Sequence, residues 1–276
     1  MLSKRLVPAA VICGVLVAGT TACGGNKDKS AAAAPAAAAS SAASAPPAAA
    51  PGPALDTGKL TADEIESRMK AVMIQAGSLT IDGTATVDGE KTAVHLAEDQ
   101  KGNCTGTVEA GSSGSFELRK TASRTWIKPD VTFWKSMGGK QVSDQKVVDA
   151  VVQLLKGLWL TGGQDDQDLK GIADEMCGMA AGMAADDSKL KLTKGEAGTV
   201  DAVKTFSLDM TDEDGTTGKQ YIATEGKPYL IRIANGPSDA SNQFTFSDFG
   251  KPVTVEAPPA DAVVDDSVFE QKLKSS

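Results

Sequence analysis

The 276-residue chain carries four cysteines and one histidine, so thiol and imidazole chemistry has few places to occur. Cys23 has the most informative surroundings. It follows Thr20-Thr21-Ala22 and precedes Gly24-Gly25, small residues that leave room for an acyl donor and a peptidase. A thiol so placed can take a diacylglyceryl group and, after cleavage, become the acylated first residue of the mature chain. The other reading is an ordinary signal peptide cut after Ala22, with Cys23 an incidental thiol. Cys13 lies inside the leader and is discarded by either cut. Cys104 and Cys177 remain, and an oxidising compartment would allow them to pair. Such a bond closes a loop of about 74 residues, which the chain-entropy view values at roughly 4–5 kcal/mol. Two buried free thiols are the alternative, because spacing in sequence does not fix the Cα separation.

The remaining reactive groups point away from catalysis. His95 sits in a strand-like run with no motif around it, and no serine has a nucleophile-elbow spacing; Gly111-Ser112-Ser113-Gly114 is a turn. The pairs Asp165-Asp166, Asp186-Asp187 and Asp265-Asp266 are adjacent in sequence and read as solvated or capping groups. Asp212-Glu213-Asp214-Gly215 lacks the spaced ligands of a calcium loop and reads as a hairpin turn. No metal site, cofactor or enzymatic activity is expected.

The segments around Cys23 set its context. Residues 1–22 form a signal peptide: Lys4 and Arg5 precede an apolar run over Leu6–Ala18, too short to span a bilayer. The Thr20-to-Cys23 pattern resembles a bacterial lipobox, with Thr20 where leucine is usual. A diacylglyceryl group and a palmitate on Cys23 would hold the chain on the outer face of the cell membrane. Each buried methylene adds about 0.8 kcal/mol, so two or three chains anchor stably where one does not. Residues 23–59 are an Ala/Ser/Pro-rich tether, with Pro35, Pro46, Pro47, Pro51 and Pro53 interrupting any helix. Treated as a coil it reaches about 30–35 Å. Loss of Lys4 and Arg5 moves the net charge from −8 to about −10. An acidic chain without a basic stripe excludes a nucleic-acid partner and makes the acyl anchor the expected membrane contact.

Residues 60–276 are long enough for a single domain with one large core. Thr61 and Glu64 spell a capping box, and Ile65, Met69, Val72, Met73 and Ala76 follow at helical spacing up to Gly77. From Ile81 the period becomes two, and Asp88-Gly89 signals a hairpin. About five antiparallel strands are expected up to Ile127. Val131–Gly139 leads out of the sheet. A helix then starts near Ser143 and carries Val147, Val148, Val151, Val152, Leu154, Leu155, Leu158 and Trp159. A second follows from about Asp165, with Leu169, Ile172, Ala173, Met176, Met179, Ala180 and Met183 as its stripe. Strands return from Leu190, run through Val203–Met210, Tyr221–Thr224, Tyr229–Ile233 and Phe244–Phe246, and finish at Val253 and Val255; Val268–Lys274 reads as a terminal helix. The order is helix, strands, two helices, strands. It gives an α+β fold: a strongly curved antiparallel sheet, a half-barrel, with helices packed on its concave face. Trp134, Val151, Leu155, Trp159, Met176, Met179 and Met183 either roof an apolar cavity there or simply fill the core. Methionine suits such a roof because it adapts to ligands of variable shape.

Three stretches carry a resemblance to a known family. Phe133-Trp134, the run Lys227-Pro228-Tyr229-Leu230-Ile231-Arg232-Ile233, and above all Phe244 to Asp261 resemble actinobacterial lipoproteins of the LppX/LprG type. That family is similar in architecture to the LolA/LolB carriers. The resemblance implies a half-barrel whose concave face, roofed by helices, holds acyl chains of a lipid or glycolipid; the chain is expected to be a monomer. It implies no catalytic motif. Two functions stay open at this point: a carrier that binds and transfers or presents lipid, and an envelope scaffold or signalling lipoprotein whose half-barrel is filled by its own side chains.

Overall fold

The computed structural model describes residues 54–87, 89–139, 144–162, 167–178, 190–236 and 242–265. Helix α1 (Ala62–Ala76) opens on the expected capping box: Thr61 Oγ1 accepts from the Glu64 amide at 3.2 Å, and the Thr61 amide donates to Glu64 Oε2 at 2.8 Å. Gly77 ends it in the left-handed conformation, which a Cβ would disfavour. Ile65, Met69 and Met73 are the residues it buries. The packed chain reaches back before α1, because Leu55 is buried and its amide donates to the Thr224 carbonyl.

Strands β1 (Ser78–Val87), β2 (Glu90–Asp99), β3 (Cys104–Ala110), β4 (Ser115–Lys120) and β5 (Thr125–Pro129) form the expected antiparallel meander. Helices α2 (Val131–Gly139) and α3 (Gln145–Leu155) follow, then β6 (Trp159–Gly162) and α4 (Gln167–Met176). The second run is β7 (Lys191–Val200), β8 (Val203–Thr211), β9 (Thr217–Ala223), β10 (Leu230–Asn235) and β11 (Gln243–Ser247), and β12 (Val263–Asp265) comes last. All twelve strands share one sheet in the order β12-β6-β5-β4-β3-β2-β1-β11-β10-β9-β8-β7. The two runs are joined where β11 pairs antiparallel with β1. The result is an α+β fold, a large antiparallel half-barrel with helices packed on its concave face.

Three expectations are corrected. Helix α3 starts from Asp144, whose carboxylate accepts from the Lys146 amide at 2.9 Å, and stops at Leu155, short of Trp159. Gly157 takes a positive φ of 81°, and the chain then pairs with β5, Leu160 opposite Ile127. The run 131–139 does not merely leave the sheet. It is helix α2, capped by Asp130, whose Oδ1 accepts from the Phe133 amide at 2.6 Å. Val253 and Val255 form no strand. They lie in an extended strap, half-buried in alternation with exposed Thr254 and Glu256, and the adjoining prolines lack the N–H a ladder requires. The last strand is instead β12, and its pairing with β6 is parallel. The proposed helix at 268–274 lies outside the described residues, as does residue 88 of the hairpin whose flanks pair Val87 with Glu90.

Strand alternation sorts the side chains. Ile81, Leu96, Leu118, Ile127 and Leu160 lie in one row across adjacent strands, all at 0% exposure. Their row passes through Gly106, where a Cβ would sit 1.9 Å from the His95 carbonyl oxygen. That close approach of β2 and β3 requires glycine. Buried residues of all four helices pack against this face: Ile65, Met69 and Met73 from α1, Trp134 from α2, Val148, Val152 and Leu155 from α3, Leu169 and Ala173 from α4.

Candidate apolar seat on the concave face

Beside the filled row, the second run of strands is covered unevenly: Leu208, Ile222, Leu230 and Phe246 are buried. Towards the β7 edge, Leu192, Phe206, Ile233 and Phe244 belong to the same core but are only half-buried. Their placement follows from register: Phe244 pairs with Gly83 on one side and Ile233 on the other, and Ile233 pairs with Gln220. Gly83 has no Cβ because the Phe244 ring lies over it; a built Cβ would be 2.3 Å from that ring. From the helices, Val151 of α3, Leu158 just after it, and Ile172 and Met176 of α4 join the same core half-buried, with α4 lying against β5 and β6. Leu192, Phe206, Ile233 and Phe244 form an apolar patch on this face that the described residues cover only in part.

Two fastenings hold α4 over the sheet. Cys104 of β3 and Cys177, just after α4, are joined by a disulfide with Cα atoms 6.0 Å apart. One strand over, Lys120 pairs with Cys104 in register and reaches Asp174 of α4 at 3.1 Å, while Lys170 reaches the same carboxylate at 2.6 Å. The Lys170 hydrogen bond, with Lys120 adding to it, holds the Asp174 carboxyl below the usual range. At the other edge, Lys194 of β7 donates to the Leu60 carbonyl at 2.9 Å, tying β7 to the start of α1.

The sequence-predicted residues fall into four groups. Val151, Leu155 and Met176 are brought together under the helices, Leu155 buried and the other two half-buried. Trp134 is 2% exposed and is a core residue that anchors α2. Trp159 lies on the other face of the sheet from Leu160. The Arg119 guanidinium is 4.5 Å from its ring centre and the Lys128 ammonium 5.6 Å. Arg119 also donates to the Glu256 carbonyl of the strap at 2.9 Å, so Trp159 belongs to the outer surface beneath that strap. Met179, Met183 and Cys23 lie outside the described residues. Phe206, Ile233, Phe244 and Gln220 were not assigned to the seat from sequence, although the alternation Phe206-Leu208-Met210 marks the face they share.

His95 is also on the outer face, its Nδ1 paired with Asp82 across β1 and β2. Asp248 lies nearby. Its carboxyl is held low chiefly by the hydrogen bond from Lys251, with Thr80 and His95 contributing less. Two clefts are lined by described residues, one of about 420 Å³ around Glu117, Lys128 and Asp130, and one of about 450 Å³ around Asp209, Thr217 and Lys219. Both are rimmed by charged groups. No group of three or more His, Cys, Asp or Glu able to hold a metal occurs among the described residues. No described helix is long and apolar enough to cross a membrane.

Sheet, helices and half-covered apolar face together define an open half-barrel with a hydrophobic interior. Among solved structures, the chain is similar to lipoprotein LppX of Mycobacterium tuberculosis, with 15% identity over 70% of this chain and 98% of that chain and a TM-score of 0.42. It is also similar to MucB in complex with MucA of Pseudomonas aeruginosa (12% identity, 72% and 59% covered, TM-score 0.31). A LolA superfamily protein of Nitrosomonas europaea is a further neighbour (10% identity, 75% and 99% covered, TM-score 0.23). No family model matches the chain, and no curated protein matches it.

Proposed function

We propose that this chain is an extracytoplasmic lipoprotein, cut before Cys23 and anchored through acyl groups on it. The segment that follows Cys23 carries a domain whose concave face seats acyl chains of a lipid or glycolipid for transfer or presentation in the envelope. The observation that carries the reading is the half-buried apolar surface of Phe206, Ile233 and Phe244, continuous with a fully buried core. Apolar area of this kind gains about 25 cal/mol per Å² when a chain covers it, without regard to the chain's detailed shape. A binding role needs no catalytic group.

One observation favours the second reading, an envelope scaffold or signalling lipoprotein with a filled half-barrel. The row from Ile81 to Leu160 is already covered completely by the protein's own helices. Titration with a fluorescent acyl probe separates the two. Saturable uptake by the wild-type domain, weakened at least tenfold by Ile233→Asp in a correctly folded sample, is the expected result. No uptake by the wild type would leave the scaffold.

A further inference from the structure

Among the described residues, Gln220 of the concave face carries a buried polar atom that its neighbours do not serve. Gln220 of β9 shares this face with Ile222, and register places it between Leu208 of β8 and Ile233 of β10. Leu208 and Ile222 are both at 0% exposure, and Gln220 itself is 5% exposed. Its Oε1 is shielded from solvent and has no hydrogen-bond donor among the described residues. A leucine would fill this row at no such cost, since a buried amide oxygen without a donor loses its hydration and gains nothing in return. The group is also an acceptor, so it asks for a donor. The adjoining part of the row is the half-covered apolar surface of Ile233 and Phe244. Beyond Leu208 the same row continues to Lys194, whose ammonium is already engaged by the Leu60 carbonyl.

Resting on the lipid-seat reading, we infer that Gln220 selects the ligand's chemical class: an acyl lipid carrying a hydroxyl or amide N–H close to the chain, donated to Oε1. A fully esterified lipid offers only acceptors and would leave the Gln220 oxygen unpaired. A lipid with a free hydroxyl satisfies it while its chain lies along Ile233 and Phe244. Discrimination of this kind is strong for its size, because a buried polar group left unpaired penalises the wrong ligand.

The test uses the mature domain with two pyrene-labelled probes of equal chain length, a monoacylglycerol and the fatty acid methyl ester. The monoacylglycerol is expected to bind about five- to tenfold tighter, the fold-change of one neutral hydrogen bond. Gln220→Met, with its fold checked by circular dichroism, should remove that preference. Each probe's affinity is corrected for its own partition into detergent-free buffer. Equal affinities of the wild type for the two probes, with uptake intact, would overturn the role of Gln220 and leave the lipid seat standing. That is also the result expected if a buried water serves the oxygen. Absence of binding by either probe would overturn both. The wild-type comparison decides the matter even if the variant does not fold.

Discussion

At the residue scale, two positions carry sharp consequences. Gly83 sits at the seam where β1 meets β11, and a Cβ there would meet the Phe244 ring at 2.3 Å and the Gln243 carbonyl at 2.5 Å. Gly83→Ala should therefore displace Phe244 and cost about 1–3 kcal/mol in urea unfolding, as overpacking does. Asp174 gives a pH signature. Its folded carboxyl is held low by Lys170 and Lys120, so its contribution is present above the ordinary carboxylate value and fades as pH falls below it. Because the carboxylate is about half exposed, the effect is screened, and Asp174→Asn should cost about 0.5–1 kcal/mol at neutral pH. The difference from wild type should vanish as acid unfolding is followed below about pH 4, near the unfolded aspartate value. A constant difference down to low pH would show that the pairing is not the source.

At the element scale, sequence made some features legible and hid others for physical reasons. The capping box of α1 and the hairpins of the first meander could be read because their signals are local: a side chain three residues from its partner, a turn two residues long. The end of α3 could not. Val151, Leu154, Leu155 and Leu158 keep a helical period past Leu155, while the competing strand pairing of Leu160 with Ile127 depends on a partner over thirty residues away. Trp159 was misplaced by the same ambiguity, because in a strand its parity sends it to the outer face, under Arg119. Gln220 had no sequence signal of its own; only its register between Leu208 and Ile233 makes its burial meaningful. The disulfide tests the role of α4 as an element. Replacing Cys104 and Cys177 together by serine should cost about 2–5 kcal/mol of stability. It should also raise hydrogen exchange first in α4, where the covalent fastening is lost.

At the scale of the whole molecule, the twelve-stranded sheet joins two runs of chain where β1 pairs with β11, so both halves must form for the interior to close. The face opposite the helices is occupied as well, by the strap over Arg119 and by Tyr229 stacked on Phe249 at 4.0 Å. The proposed anchor makes its own prediction: Cys23→Ala in the full chain should abolish acylation and shift the protein from the membrane fraction, and retention there would remove the anchor. A domain on a tether reaching about 30–35 Å would exchange lipid only with acceptors near its own membrane. The most direct measurement is native mass spectrometry of the full chain purified from an envelope-bearing bacterial host. A population heavier by the mass of a discrete lipid, lost in Ile233→Asp, is the predicted result; a correctly folded protein that carries none, and takes none up on incubation, would contradict the account.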